Sequence, residues 1–436
     1  MQQSSSNPGE LFWTNVVRSY TPHFRMSLPA ICALLLSTEV FPPLLVYLHV
    51  AHSLSVGTTF AAILAISFLA LSTTVRGLRT PHSSLFDVRA NDLLLMALVV
   101  GLVFVHGVTA GSIVAVNYHR LSLSLVLLCI LFVGSAAIGS ALRAATPGDL
   151  NRASWICFCF FIGIIIVRLL NLEPDAQAFP KALFPFTETS HFALAFGPIY
   201  LYRCVAAPVR RRLVWILLGF ALALLLRSAT FIALAVVAAI LCRRLIIVLI
   251  GAATGAFAGA ASHLSYFVAR ADLSAHSSNL SALVYLQGWQ FIIRSLEISH
   301  GWGLGFQQLG VHPFHLNVTR LIQQLTGGTP LNAMGGSFIF SKLASEFGLF
   351  GILLGIAYFY YALESVNAIR RRDSYQHDTL PRCVVVAFGI DMFLRGTGYF
   401  YGAPLLFLAA VNFLRRQRQS MRLHYHSRHR NIVALR

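Results

Sequence analysis

Apolar residues in this chain fall into long runs separated by short polar breaks. The runs cover residues 28–50, 54–74, 92–110, 121–142, 153–169 and 189–206, then 213–226, 228–242, 245–262, 348–367, 383–394 and 400–414. Most approach the roughly 20 residues that cross a bilayer as a helix. The pattern predicts an all-α polytopic membrane protein with about 12 transmembrane helices and one large outer loop containing short helices. Its blocks are a leader at 1–27, helices one to nine within 28–262, the loop at 263–336, helices ten to twelve within 337–414, and a basic tail at 415–436.

Composition agrees with that reading. Hydrophobic residues make up 57% of the 436 and charged residues 11%, with a mean hydropathy of +0.70, too little polar surface for a soluble globule of this size. The formal charge of +18 is carried by short arginine clusters between apolar runs, which is how spans are oriented in a bilayer and not how a nucleic-acid surface is built. With the N-terminus inside, 24 of the 33 Lys and Arg fall in inner segments, so both termini are expected in the cytoplasm. The leader is polar and mixed, and no cleavable signal is expected from it. The tail "RRQRQSMRLHYHSRHR" reads as a topology anchor in contact with membrane lipid. All seven cysteines lie inside or at the ends of apolar runs, without redox or zinc spacing.

Two arginines interrupt this order. A continuous helix over 213–241 would reach ~43 Å, beyond the ~30 Å hydrocarbon core, and would hold Arg227 mid-membrane at about 3 kcal/mol or more. Basic clusters at Arg210 to Arg212 and Arg243 to Arg244 flank it. The chain is therefore expected to go out and return, turning near Arg227, with arms of ~21 Å. That places Arg227 at the floor of an outward-open cavity. The pattern recurs from Arg382 through Arg395, with Gly396 and Gly398, to Arg415 and Arg416. Two arginines at similar depth suit an anionic ligand such as a pyrophosphate, and a carbonyl-capping role at each turn is the plainer alternative.

Long loops in compact proteins are usually functional, which directs attention to the outer side. "FPFTETSHFALAFG" sets Glu188, Ser190 and His191 where an outer loop enters a span. Glu188 can serve as a general base and His191 as a donor to sugar or phosphate. As structure alone, the same residues make an ordinary helix start. In the long loop, apolar spacing from Leu280 to Leu296 predicts an amphipathic helix. A turn with Gly301, Gly303 and Gly305 follows, interleaved with Trp302 and Phe306 and trailed by Gln307 and Gln308, a set that suits sugar contact better than phosphate. Arg270, Arg294, Arg320 and His312 are further candidate ligands there. Glu173 and Asp175 have metal-like spacing but read as an acidic turn; no metal or other cofactor is expected.

Taken in order, "LFPFTETSHFAL", "LVYLQGWQ" leading to "GLGFQQLG", "GGSFIFSKLASEFGLFG" and "MFLRGTGYF" resemble the Wzy-type O-antigen and exopolysaccharide polymerases of the bacterial inner membrane, over residues 183–400. The resemblance implies a multi-pass glycosyltransferase acting on the periplasmic face. Such an enzyme moves a growing glycan from a polyprenyl (undecaprenyl) pyrophosphate carrier onto a new lipid-linked oligosaccharide unit, alongside a chain-length regulator protein. Glu188 or His191 then activates the acceptor hydroxyl, and Arg227 and Arg395 hold the pyrophosphate. The related O-antigen ligases carry a histidine upstream of a G-x-x-G. Here that motif is Gly348 to Gly351, the corresponding position falls near Gly336 or Ser337, and no histidine is there, although His312 or His315 stands elsewhere in the loop. A transporter or flippase for lipid-linked sugars is the alternative of a different class, since broken helices with buried charge also line transport paths.

Overall fold

The computed structural model describes residues 26–77, 90–170, 172, 183–244, 277, 279–312, 314, 316–328, 334–371, 377–396 and 398–434. Among them the chain is helical throughout: α1 (Leu28–Glu39), α2 (Phe41–Tyr47), α3 (Leu54–Gly77), α4 (Ala90–Ala110), α5 (Tyr118–Ala144), α6 (Pro147–Leu169), α7 (Thr189–Ala206), α8 (Val209–Leu225), α9 (Ala229–Leu241), α10 (Leu280–Ile298), α11 (Asn317–Leu325), α12 (Ile339–Phe347), α13 (Leu349–Arg371), α14 (Thr379–Phe393) and α15 (Gly402–Ala434). The ninth apolar run, 245–262, lies outside the described residues. Five helices, α3 to α6 and α13, are individually long and apolar enough to cross a membrane. A sixth span results if α1 and α2 are one bent element.

That bend is a departure from the single run expected over 28–50. Pro42 and Pro43 follow Phe41, so the chain cannot carry the ladder of α1 onward, and α2 leaves at 53°. Elsewhere polar residues start helices. Asn117 accepts from the Arg120 amide at 3.0 Å, Thr146 from the Asp149 amide at 3.1 Å with Pro147 in the first turn, and Asn279 from the Ser281 amide at 3.0 Å.

The core is built around α7 and α14, which pack on each other and are buried on nearly every face. Phe158, Phe161, Phe192, Phe196 and Phe231 interlock there as edge-on and tilted rings from α6, α7 and α9. By contrast α4 and α13 turn Leu94, Leu98, Leu102, Leu353, Leu354 and Phe359 outward, all more than half exposed. Large apolar side chains on the outside of a helical bundle are the surface that lipid covers.

The hairpin at Arg227 forms as expected. α8 and α9 break at Leu226–Ser228, with Arg227 at φ 47°. A Cβ placed on Gly219, eight residues before the tip, would lie 3.1 Å from that of Ala235, eight after it. The arms therefore run antiparallel.

Candidate functional site

Glu188 caps α7 in an extended conformation (φ −141°, ψ 149°), but its carboxylate makes no cap bond. It turns aside to accept from Ser190 Oγ at 2.8 Å and from Arg395 Nη2 at 2.8 Å. Arg395 stands in the turn between α14 and α15, and its side chain is 20% exposed against 46% for Glu188. The site is thus accessible from one end of the bundle. Burial pushes the Glu188 carboxyl up, but the Arg395 guanidinium, His191 and the Ser190 hydroxyl together hold it below the ordinary carboxylate value. His191, two residues into α7, has Nδ1 3.3 Å from Thr187 Oγ1 and its ring 6.2 Å from that of Tyr401.

A third segment closes the site. The Gly396 amide donates to the Ser337 carbonyl at 3.1 Å, which ties the Arg395 turn to the start of α12. Ser337 is at φ 71°, α12 has no side-chain cap, and Ser337 Oγ and Arg395 Nε are both buried without a hydrogen-bond partner among the described residues. A guanidinium with an unused donor beside an uncapped helix N-terminus is an arrangement that accepts an anion.

Below this mouth lies a set of groups that the sequence reading passed over. Glu39 closes α1 at 4% exposure, Asp391 sits on α14 at 2%, and Tyr401 precedes α15 at 1%. The Tyr401 hydroxyl stands among the carboxyls of Glu39, Asp391 and Glu188. Both Glu39 oxygens, Asp391 Oδ1 and the Tyr401 hydroxyl are buried without a hydrogen-bond partner among the described residues.

Of the four candidates proposed for chemistry, Glu188, His191 and Arg395 meet. Arg227 lies at the same end of the bundle, since Phe231 one turn further on packs against Phe192 beside His191. Its side chain is nevertheless exposed and makes no ion pair among the described residues. The expectation that Arg227 sits at the floor of an outward-open cavity, converging with Arg395, is corrected here: Arg227 is exposed at the hairpin tip, and among the described residues no third element folds over it.

The glycine turn has a different role from the sugar contact expected of it. Gly303, at φ 98°, lies so close to the Gly348 turn that a Cβ there would stand 2.4 Å from the Gly348 amide nitrogen. Amides of Leu304 and Gly305 donate to Ser345 and Glu346, and that of Leu349 to Gly301. Gln307 accepts from Lys342 Nζ at 3.1 Å and its amide donates to Glu346 at 3.0 Å. Gln308 is enclosed, accepting from the Asn117 amide at 2.8 Å and donating back to the Asn117 and Phe306 carbonyls. Lys342 and Glu346, paired at 3.7 Å and almost fully buried, are the hub of this joint. The G-x-x-G belongs to it too: Gly348 turns the chain at φ 59°, and a Cβ on Gly351 would stand 2.1 Å from the Leu343 carbonyl. α12 folds back on α13 only because both positions lack side chains.

Arg294 pairs with Glu297 at 2.9 Å and Arg320 with Asn317 at 2.8 Å, both on exposed helix faces. His312 is half-buried, its Nε2 without a partner. Arg270, His315, Glu173 and Asp175 lie outside the described residues.

No protein-family model matches the chain, and no curated protein matches it.

Proposed function

We propose that the chain is a multi-pass membrane glycosyltransferase of the O-antigen or exopolysaccharide polymerase type. It has about 12 spans, both termini in the cytoplasm, and its chemistry on the periplasmic face of a bacterial inner membrane. One observation carries the reading. Glu188 and Arg395, 207 positions apart, form an accessible carboxylate–guanidinium pair at 2.8 Å, with Ser190 and His191 beside it.

In the resting pair Glu188 is a weak base, because the guanidinium stabilises its charge. A pyrophosphate carries more negative charge than a carboxylate and competes for Arg395, aided by Ser337 and the α12 amides. Donor binding thereby frees Glu188. The acceptor hydroxyl then loses its proton to the Glu188 carboxylate while its oxygen forms a bond to the anomeric carbon of the donor glycan. The anomeric C–O bond to pyrophosphate breaks, and its electron pair leaves on the polyprenyl pyrophosphate, where Arg395 neutralises the developing charge. The donor thus activates the base that acts on it.

The test is elongation in vitro: purified protein, polyprenyl-pyrophosphate-linked repeat units in detergent, no ion gradient, products resolved on a gel. A ladder of longer glycans is the expected result. Absence of a ladder, with carrier translocation in liposomes, overturns the reading in favour of a flippase. Transfer onto added lipid A core without self-elongation overturns it in favour of a ligase.

A further inference from the structure

At the end of the bundle opposite the Glu188–Arg395 pair, the start of α8 and the end of α9 come together beside the end of α13. They border a half-open cavity of about 330 Å³ lined by Arg212, Arg243, Arg244, Arg370 and Arg371, with Val205, Cys242 and Ile369 as part of its apolar wall. Among the described residues no carboxylate lines it.

The contrast with neighbouring arginines gives this meaning. Arg382 pairs with Asp378 at 3.4 Å, Arg415 and Arg416 both bind Asp92, and Arg418 binds Glu364. The chain thus supplies carboxylates to the basic residues of α14 and α15. Around the cavity it supplies none among the described residues. Arg212 is committed in part, its Nε donating to the Ala207 carbonyl and its Nη2 to that of Val205, both at 3.0 Å. These bonds fix its guanidinium at the cavity wall. Arg243 is held at φ 56° just past the end of α9. Two arginines each from the ends of α9 and α13 can compensate the carbonyl ends of those helices, which accounts for a single charge at each. Five cations around one concavity exceed that requirement, and their mutual repulsion favours an anion among them.

We infer that this cavity binds a phosphate-bearing anion, with guanidinium groups on the phosphate oxygens and the apolar wall against the attached carbon chain. Its volume fits a phosphate with a glycerol-sized substituent, and basic pockets between membrane helices are where anionic headgroups lodge. An anionic phospholipid and a soluble phosphate ester or inorganic phosphate share this chemistry. The site does not depend on the glycosyltransferase reading.

Native mass spectrometry of the purified full chain, exchanged into phosphatidylglycerol or phosphatidylcholine, separates the sources. Phosphatidylglycerol should be retained preferentially, and Arg243→Gln/Arg371→Gln should lower that retention roughly tenfold. Arg210→Gln/Arg211→Gln, on α8 beside Arg212 but outside the cavity, should leave it unchanged. A thermal shift with inorganic phosphate or pyrophosphate, absent in the cavity variant, together with no lipid preference, assigns the site to a soluble anion. Equal loss of lipid in both variants, or equal retention of both lipids with no phosphate shift, overturns the proposal. Wild-type protein provides a control for misfolding: phenylglyoxal labelling of Arg243, Arg244 and Arg371 should fall when phosphatidylglycerol or phosphate is added, and unchanged labelling with both also overturns it.

Discussion

Two turns in this protein look alike along the chain and differ in space. Each carries an arginine between apolar helices flanked by basic residues, Arg227 between α8 and α9 and Arg395 between α14 and α15. Arg395 is covered: Glu188 comes from the entrance to α7, Ser337 from the entrance to α12, and the side chain is left 20% exposed. Arg227 has neither neighbour and stands exposed at its tip. A helical break brings a charge to the end of a bundle, and only a second and third segment make it a site.

Substitutions at the two turns should separate them. Arg395→Ala removes the candidate anion anchor and the partner of Glu188 together, and elongation should fall about 10³-fold in the gel assay with membrane insertion intact. Retention of a tenth of the rate or more would assign Arg395 a purely structural role. The exchange Glu188→Arg/Arg395→Glu restores a pair of the same geometry. It should recover thermal stability in detergent without recovering elongation, and recovery of both would refute the division of labour proposed for them.

Next in size, Glu188→Gln keeps an acceptor for Arg395 but cannot take a proton, so a loss of about 10²-fold is expected, chiefly in kcat. The same group predicts a pH signature. In the free protein its carboxyl lies below the ordinary value of 4.5, so the Arg395 pair is complete above that value and is lost only as pH falls through the lowered one. With donor bound, Arg395 is engaged elsewhere and burial acts on Glu188 against His191 and Ser190 only, so its pKa rises from the resting value. The acid limb of kcat should therefore lie at higher pH than the acid limb of kcat/KM. Coincident limbs would show that donor binding leaves the pair intact.

The smallest effect belongs to the other turn. Arg227→Ala should lower elongation by at most about tenfold, the scale of one exposed charge near a lipid phosphate. A loss matching that of Arg395→Ala would mean that the hairpin tip closes over the site when substrate is bound.

Much of this architecture is legible from hydropathy alone. Helical runs, the break at Arg227 and the amphipathic α10 all follow from spacing and from the cost of a charge in an apolar medium. The bend at Pro42 and Pro43 was legible too, but a window that averages hydropathy hides it. The rule that marked Arg227 and Arg395 as charges inside apolar runs applies equally to Glu39 and Asp391. Those acids are the more deeply buried, Glu39 at 4% and Asp391 at 2% exposure. Lys342 and Glu346 were visible as an i,i+4 pair within "FSKLASEF". Such spacing is also that of an ordinary surface pair, and only burial distinguishes the two.

The glycine turn and the two glutamines illustrate the opposite error. Gly303, Gly305, Gln307 and Gln308 resemble a ligand-contacting loop because turns that bind ligands and turns that dock against another backbone need the same freedom from side chains. Here the partner is internal: the Gly348 joint for the turn, and the start of α5 for Gln308.

Local physical chemistry was sufficient for the helices, their breaks and the end of the bundle at which each charge emerges, because these depend on a few neighbouring residues and on the solvent each can tolerate. Which charges became partners was decided by packing between segments as far apart as Glu188 and Arg395, or the basic ends of α8, α9 and α13. The distance between such groups is set by the whole bundle, and no short stretch of the chain contains it.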